Sequence, residues 1–310
     1  MAEGATWTDL LDPTEQTIRE STSASLRPDA VAQLLRPSAP DSQARPALQS
    51  HGSYVFGVLL FPVALPAENR VFYQEVDLVL THDSVLTVRK TPGAEAPFER
   101  RRVQEVCEAR ERPSAGAIAY YLVDEMAERY LELLDALNDE IDELEDEVTR
   151  RPPHWTDKRV SELRHDLLHI RHRLSPARDA VRGVVDGRVD IRGRPLLRRE
   201  VFPREIERDF AGVYDKLLRA TEAAEFARDL LSAVREHHQA RLANTQNEII
   251  KRVTAIASLL LFPTFWVGVY GQNFDHMPEL GWRLGYLFSW GVIVVVTIGQ
   301  LILFRRKGWL

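Results

Sequence analysis

Two apolar runs, 253–270 and 286–304, close the chain, and neither contains a charged residue. At 1.5 Å per residue, about 18 to 20 residues cross a bilayer core of about 30 Å, so both runs predict membrane-spanning helices. Upstream the pattern is amphipathic. Ala119, Leu122, Met126, Leu133, Leu137, Ile141, Leu144 and Val148 recur mostly at three- and four-residue steps. After Pro152-Pro153, Val160, Leu163, Leu167, Ile170, Leu174, Ala177, Val181 and Val184 repeat the steps. Each set predicts a helix with one packed seam, the second kinked at Pro176. A third seam starts after Pro203 and runs through Ile206, Phe210, Val213, Leu217, Ala220, Ala224, Ala227, Leu231 and Val234, then on past His238, Leu242, Thr245 and Ile249 into the first apolar run. About 65 residues of continuous helix make a rod of about 100 Å, too long to bury its seam in one small domain. Self-association is the expectation.

The first hundred residues read differently. Residues 54–63 and 75–80 have strand character, and the turn 81–84 leads into 85–88, a β-hairpin. Asp12 is read as a helix N-cap, with Pro13 at the first position and Glu15 at the third. The Pro- and Ser-rich stretch 36–50 is read as a loop.

The fold class expected is α+β, with a cytoplasmic α/β domain, long stalk helices and two C-terminal transmembrane helices. The boundaries are 1–115 for the α/β domain, 116–202 for an antiparallel pair of an acidic and a basic helix, and 203–252 for the stalk. The first transmembrane helix is 253–270, the extracytoplasmic loop 271–285, the second transmembrane helix 286–304 and the basic tail 305–310.

Composition sharpens this picture. Charged residues make up 28% of the chain, yet they almost vanish after residue 250. The mean hydropathy of the whole chain, -0.25, hides this break. A net charge of -6 and the lack of a basic block with interleaved aromatics speak against nucleic-acid binding. Cys107 is the single cysteine, which excludes intrachain disulfides and thiolate clusters. The N-terminus has neither a basic n-region nor an apolar h-region, so no signal peptide is expected and the polar part stays in the cytoplasm. Lys251 and Arg252 precede the first apolar run and Arg305, Arg306 and Lys307 follow the second, whereas the loop offers only Arg283. Both termini are therefore placed inside, in an inner (plasma) membrane protein with its loop outside.

No P-loop and no convergent nucleophile–base set is present, and no enzyme is expected. The acidic run Asp135, Asp139, Glu140, Asp142, Glu143, Glu145, Asp146 and Glu147 has two readings: a solvated face opposite the basic second helix, or a reservoir that concentrates divalent cations. His165 and His169, at i and i+4, are read as surface residues before metal ligands. In the first apolar run and just before it, Asn247, Ile250, Thr254, Ala257, Leu261, Thr264 and Gly268 form a stripe of small, polar and moderately apolar residues. It lines a pathway, or it packs helices together. Leu259, Leu260, Phe262, Phe265 and Trp266 lie on the other face. The second run, with Phe288, Trp290 and 292–296, is suited to lipid. Two helices per chain cannot enclose an aqueous path, so conduction requires an oligomer. A tethered oligomeric scaffold or sensor that does not conduct is the competing class.

The segment Tyr270-Gly271-Gln272-Asn273-Phe274, followed by Met277-Pro278-Glu279-Leu280, resembles the Tyr-Gly-Met-Asn-Phe and Met-Pro-Glu-Leu signature of the CorA divalent-cation channels. Asn247-Glu248-Ile249-Ile250-Lys251, the basic Trp-Leu terminus, the stalk segment 210–217 and the opening 7–15 resemble the same family, most densely from about residue 200 onward. The resemblance implies a funnel-shaped homopentamer that moves Mg²⁺ or Co²⁺ inward, with no cofactor beyond the transported cation. It implies a selectivity loop of Tyr270, Gly271, Gln272, Asn273 and Phe274, in which Asn273 meets the hydrated ion. Asp275 and Glu279 join the outer loop, Thr264 and Asn247 are polar pore positions, and Ile250 and Val253 are the apolar constriction. Two departures stand out. Gln272 replaces the signature Met, which turns attention to Zn²⁺ carriers of the ZntB type. Gly212 replaces the first Asp of a regulatory metal pair, of which Asp215 keeps the second.

Overall fold

The computed structural model describes residues 4–38, 44–65, 70–93, 95–109, 113–148, 150–191, 200–272, 277 and 281–310. They form two compact units, Met1–Arg235 and Glu236–Leu310. The first unit contains β1 (Thr6–Leu11), α1 (Glu15–Ser21), α2 (Pro28–Leu35), β2 (Ala47–Ser50), β3 (Val55–Leu65), β4 (Arg70–Leu80), β5 (Ser84–Arg89), α3 (Arg101–Glu108), α4 (Ala115–Glu147), α5 (Pro153–Val185) and the start of α6 (Arg204–Tyr270). The rest of α6 and α7 (Gly285–Arg306) belong to the second.

The sheet has the order β1-β5-β4-β3-β2, with β1 parallel to β5 and the other pairs antiparallel. β3 and β4 are buried over most of their length because both faces are covered; β3 is almost wholly apolar, and β4 carries Gln74, Glu75 and Asp77 inside. Gly57 sits where β2, β3 and β4 crowd: a Cβ there would lie 2.8 Å from Leu48 Cδ2 and 3.2 Å from Leu78 Cβ. The hairpin expected around 81–84 joins β4 and β5, and Thr81 Oγ1 accepts from Ser84 N at 3.0 Å. At the parallel edge, Thr87 Oγ1 accepts from Trp7 Nε1 at 3.0 Å and donates to Asp9 at 2.8 Å.

Beside β4, Lys90 Nζ lies 2.6 Å from both Glu75 Oε1 and Asp77 Oδ2, and donates to the Gln33 carbonyl of α2 at 2.7 Å. All three charged side chains are buried. Burial pushes the Asp77 carboxyl up to about 7, although Lys90 pulls it down.

Two local expectations are corrected. The α1 cap is Thr14, whose Oγ1 accepts from Thr17 N at 3.4 Å, and not Asp12. Asp12 has φ 44° and its carboxylate accepts from the Thr91 backbone N–H and hydroxyl, so a tertiary partner takes the side chain away from the helix. The stretch 36–50 is not all loop: its last four residues form β2, an edge strand paired with β3.

The long helices follow their seams. Ser114 caps α4, accepting from Ala117 N at 3.2 Å. Gly116 is required by packing, since a Cβ would lie 2.1 Å from the Val201 carbonyl oxygen. α4 lies against β3, β4 and β5, and its seam from Ala119 to Leu144 is buried. Pro153 opens α5 at the position where a missing N–H costs nothing. The first part of α6 is held in the first unit by Phe210, which meets Tyr120 and Phe202 edge-on at 5.9 and 5.4 Å. Lys216 adds contacts of 2.6 Å to Asp124 and to Glu128 of α4.

Candidate functional site

Two charge-free runs, 253–270 and 286–304, lie within the second unit. α6 beyond residue 252 and α7 are both long and apolar enough to cross a membrane. One direct tie between them is the Trp266 Nε1–H, which donates to Ser289 Oγ at 3.0 Å. From that point the covered side of each helix follows the helical period. On α6 it includes Ala255, Leu259, Phe262 and Trp266; on α7 it includes Ser289, Val292, Ile293, Val296 and Gln300. Phe262, Trp266 and Tyr270, spaced by four, stack along α6 with ring centroids 6.1 and 5.4 Å apart.

The stripe read from the sequence faces away from this packing. Asn247, Ile250, Val253, Thr254, Ala257, Leu261, Thr264 and Gly268 are all exposed in the single chain, Leu261 at 69%. The Thr264 hydroxyl donates to the Leu260 carbonyl at 2.8 Å, so its remaining oxygen lone pairs are the polar feature it presents outward. A Cβ on Gly268 would meet nothing within 4 Å. Among the described residues nothing therefore demands a glycine there.

Opposite the stripe, Leu260 and Phe265 are exposed while Leu259 and Phe262 are half covered, because a single neighbouring helix covers a narrow arc of α6. One assignment of a face changes. Val292, Ile293 and Val296, assigned to lipid, lie wholly or half covered, whereas Val294 and Val295 are exposed. Five consecutive β-branched residues show no face in the sequence; only the packing selects one. Trp266, read from the sequence only as opposite the stripe, is half covered. Its spacing with Phe262 and Tyr270 was the signal that it supports the end of α6.

Tyr270 is the last residue of α6. Gly271 N–H donates to the Val267 carbonyl at 3.0 Å and the Gly268 carbonyl at 3.2 Å, tightening the last turn. A Cβ on Gly271 would lie 3.4 Å from the Val267 oxygen, an ordinary contact. Gln272 is exposed. Asn273, Phe274, Asp275 and Glu279 lie outside the described residues.

The candidates of the first unit are dispersed. Asp215 is exposed on α6, one turn after the exposed Gly212. Burial would lower its neighbour Lys216, but the hydrogen bonds that Lys216 donates to Asp124 and Glu128 outweigh this and raise it, so it stays cationic. The acidic end of α4 is largely exposed; Glu140 reaches across to Arg159 of α5, which also binds Glu162 at 3.0 Å. His165 and His169 have ring centroids 4.2 Å apart. Among the described residues, no group of three or more His, Cys, Asp or Glu side chains is placed to hold a metal ion.

Residues 2–306 match the family described as CorA-like Mg²⁺ transporter protein. The chain is 30% identical over 266 residues to the cobalt/magnesium transport protein CorA of Thermotoga maritima, a match covering 86% of this chain and 73% of that one. Its fold is similar to the complete structure of the CorA magnesium transporter from Methanocaldococcus jannaschii, with TM-score 0.77 and 18% identity, over 98% of this chain and 91% of the other. It is also similar to the ZntB cytoplasmic domain from Vibrio parahaemolyticus, with TM-score 0.57 and 13% identity, over 77% and 88% of the two chains.

Proposed function

The chain belongs to the CorA-like Mg²⁺ transporter family, and from that premise we propose that it carries divalent cations, Mg²⁺ or Co²⁺, across the membrane into the cytoplasm. The observation that carries the mechanism is the exposed stripe on α6. Asn247, Thr254, Thr264 and Gly268 are small or polar, they share one face of a helix suited to a bilayer, and they are exposed among the described residues of the single chain. Polar positions in a spanning helix are costly against lipid. Copies of the chain arranged around an axis turn the stripe inward, and a pentamer is the arrangement the family suggests. α7 then stands outside, with Tyr286, Leu287 and Val295 toward lipid.

In this reading the ion meets a ring of Asn273 side chains first. Mg²⁺ gives up its water reluctantly, so neutral amide oxygens can hold the hydrated ion without stripping it. Tyr270, at the end of the aromatic ladder, fixes where that ring sits. Thr264 and Asn247 offer oxygens along the path, and Ile250 and Val253 narrow it at the cytoplasmic end, where an apolar ring gates by losing its water. A potential of about 100 mV, negative inside, favours inward movement of a divalent ion by about 4.6 kcal/mol. Both termini are cytoplasmic in this arrangement. Among the described residues Asp215 belongs to no group of three or more His, Cys, Asp or Glu side chains placed to hold a metal, so in this reading regulation by a metal there draws ligands from a second copy.

Gln272 favours a second ion. It adds an exposed amide beside the selectivity ring, and this supports Zn²⁺ as the alternative cargo. Uptake into liposomes carrying the full-length protein tests both readings. With an inside-negative potential, wild type takes up Mg²⁺ or Co²⁺, and Asn273→Ala lowers the flux about tenfold or more, equivalent to about 1.4 kcal/mol of barrier. A preference for Zn²⁺ establishes the alternative. Unchanged fluxes of all three ions in Asn273→Ala remove the ring, and no flux in wild type makes the oligomer a scaffold.

A further inference from the structure

Within the first unit, α5 and α6 enclose a groove of about 390 Å³. That is inside the range of about 300–1,000 Å³ found for small-molecule sites. Its lining holds three guanidinium groups, Arg164 of α5 and Arg228 and Arg235 of α6, against the single carboxylate of Asp157. Ser161 and Ser232 complete the polar wall. The spacings explain the gathering: 161 and 164 are one turn apart on α5, and 228, 232 and 235 are successive turns on α6. Val160 and Leu231 supply an apolar strip between the charged rows.

These arginines differ from Arg159 of the same stretch of α5, which does not line the groove and which Glu140 and Glu162 hold. Arg228 has only its sequence neighbour Asp229, at 3.2 Å, and among the described residues Arg164 and Arg235 have no carboxylate partner. Like charges on facing helices repel, and Asp157 is the one carboxylate that lines the groove with them. The Ser232 hydroxyl donates to the Arg228 carbonyl at 3.0 Å, so the donors left to an incoming group are chiefly the guanidinium forks. Those forks match phosphate oxygens two at a time. Three of them spread along a groove exceed what one phosphate can use, and suit a chain of phosphates.

We propose that the groove between α5 and α6 binds a polyphosphate-bearing anion through Arg164 and Arg235, with Arg228 at its edge. The sequence has no P-loop, and the site needs none, because side chains rather than backbone amides supply the charge. The phosphate chain of a nucleoside triphosphate and inorganic polyphosphate share this chemistry. The proposal goes beyond the transport reading and does not depend on it.

Calorimetric titration of the full-length protein in detergent, with a chelator to remove divalent cations, tests it. ATP and tripolyphosphate are expected to bind. Arg164→Ala with Arg235→Ala should weaken both by about 10- to 100-fold, as expected for losing one or two charge-assisted hydrogen bonds. Both arginines are exposed, so the double variant keeps its fold. The double lysine variant should recover part of the affinity, since it restores charge without the fork. ATP binding tighter than tripolyphosphate identifies a nucleotide whose base uses Val160 and Leu231; equal affinities identify the phosphate chain alone. No binding by wild type, or binding unchanged in the double alanine variant, overturns the site. So does a change of oligomer mass in Arg164→Glu with Arg235→Glu, which would make an acidic segment of a second copy the occupant.

Discussion

The two halves of α6 repeat the same three- and four-residue steps but dispose of them in opposite ways. In the first half, Ile206, Phe210, Val213, Leu217, Ala220, Ala224, Ala227, Leu231 and Val234 are all buried within the chain. In the second half, the steps bring Asn247, Ile250, Thr254, Ala257, Leu261, Thr264 and Gly268 to an exposed face, with Ile250 at 61% and Leu261 at 69%. One seam is complete in a single chain and the other is not. A contiguous exposed stripe of that kind marks a surface meant for something outside the chain: lipid, another copy, or water in a pore. Periodicity alone therefore reveals a face, and composition along it tells which surroundings it expects.

The sharpest way to break this contrast is to truncate one residue on each side. Phe210→Ala removes a ring buried between Tyr120 and Phe202, and should destabilise the first unit by about 3–5 kcal/mol. Leu261→Ala removes an exposed side chain and should cost well under about 1 kcal/mol if the stripe faces water. Thermal unfolding of both variants in detergent, followed by circular dichroism, gives the comparison. A Leu261→Ala cost close to that of Phe210→Ala would show the stripe to be a helix-packing seam between copies, and would remove it from the conduction path.

A proton next distinguishes the sheet of the first unit from the apolar run of α6. Asp77 is fully buried beside Lys90 and Glu75, and desolvation raises its pKa from 3.8 to about 7. The folded state then holds a proton that the unfolded state has released, so stability falls as pH rises from about 4 and levels off above about 7. The contribution is fully present below the unfolded value and is lost through the folded one. Asp77→Asn should remove this part of the pH dependence of unfolding. Residues 253–270 carry no charged side chain, so Leu261→Ala should leave the slope untouched. A wild-type slope that Asp77→Asn fails to flatten would place the titrating group elsewhere.

Much of this was legible in the sequence where a pattern had a single physical cause. β3, β4 and β5 followed from apolar runs broken by a polar turn, and α4, α5 and α6 from their seams. The rest depended on partners distant in sequence. Asp12 and Thr14 are both competent caps, and the choice between them is made by Thr91, which takes the Asp12 carboxylate. β2 is four residues of edge strand in a Pro- and Ser-rich stretch, and its identity comes from pairing with β3. The stripe on α6 was readable from spacing, but the covered face of α7 was not, because consecutive β-branched residues have no period. The α5/α6 groove was invisible for a different reason: its arginines belong to two helices that only the tertiary fold brings side by side.

The smallest expected effect bears on the outward side of the first half of α6. Gly212 and Asp215 are exposed there, one turn apart, while Phe210 and Val213 beside them are buried. A Cβ on Gly212 would meet nothing within 4 Å, so the absence of a side chain is not a packing requirement. Replacing glycine within an exposed helix gains a few tenths of a kcal/mol in propensity. A second carboxylate three residues from Asp215 costs about 0.2–0.5 kcal/mol in repulsion. Gly212→Asp should thus change stability by less than about 0.5 kcal/mol in metal-free buffer. Added Mg²⁺ relieves that repulsion if a neighbouring copy completes the coordination, and by linkage raises the unfolding temperature of the variant more than that of wild type. Melting both proteins with and without Mg²⁺ decides the matter: identical shifts mean that this face of the first half, unlike the stripe of the second, has no cation to meet.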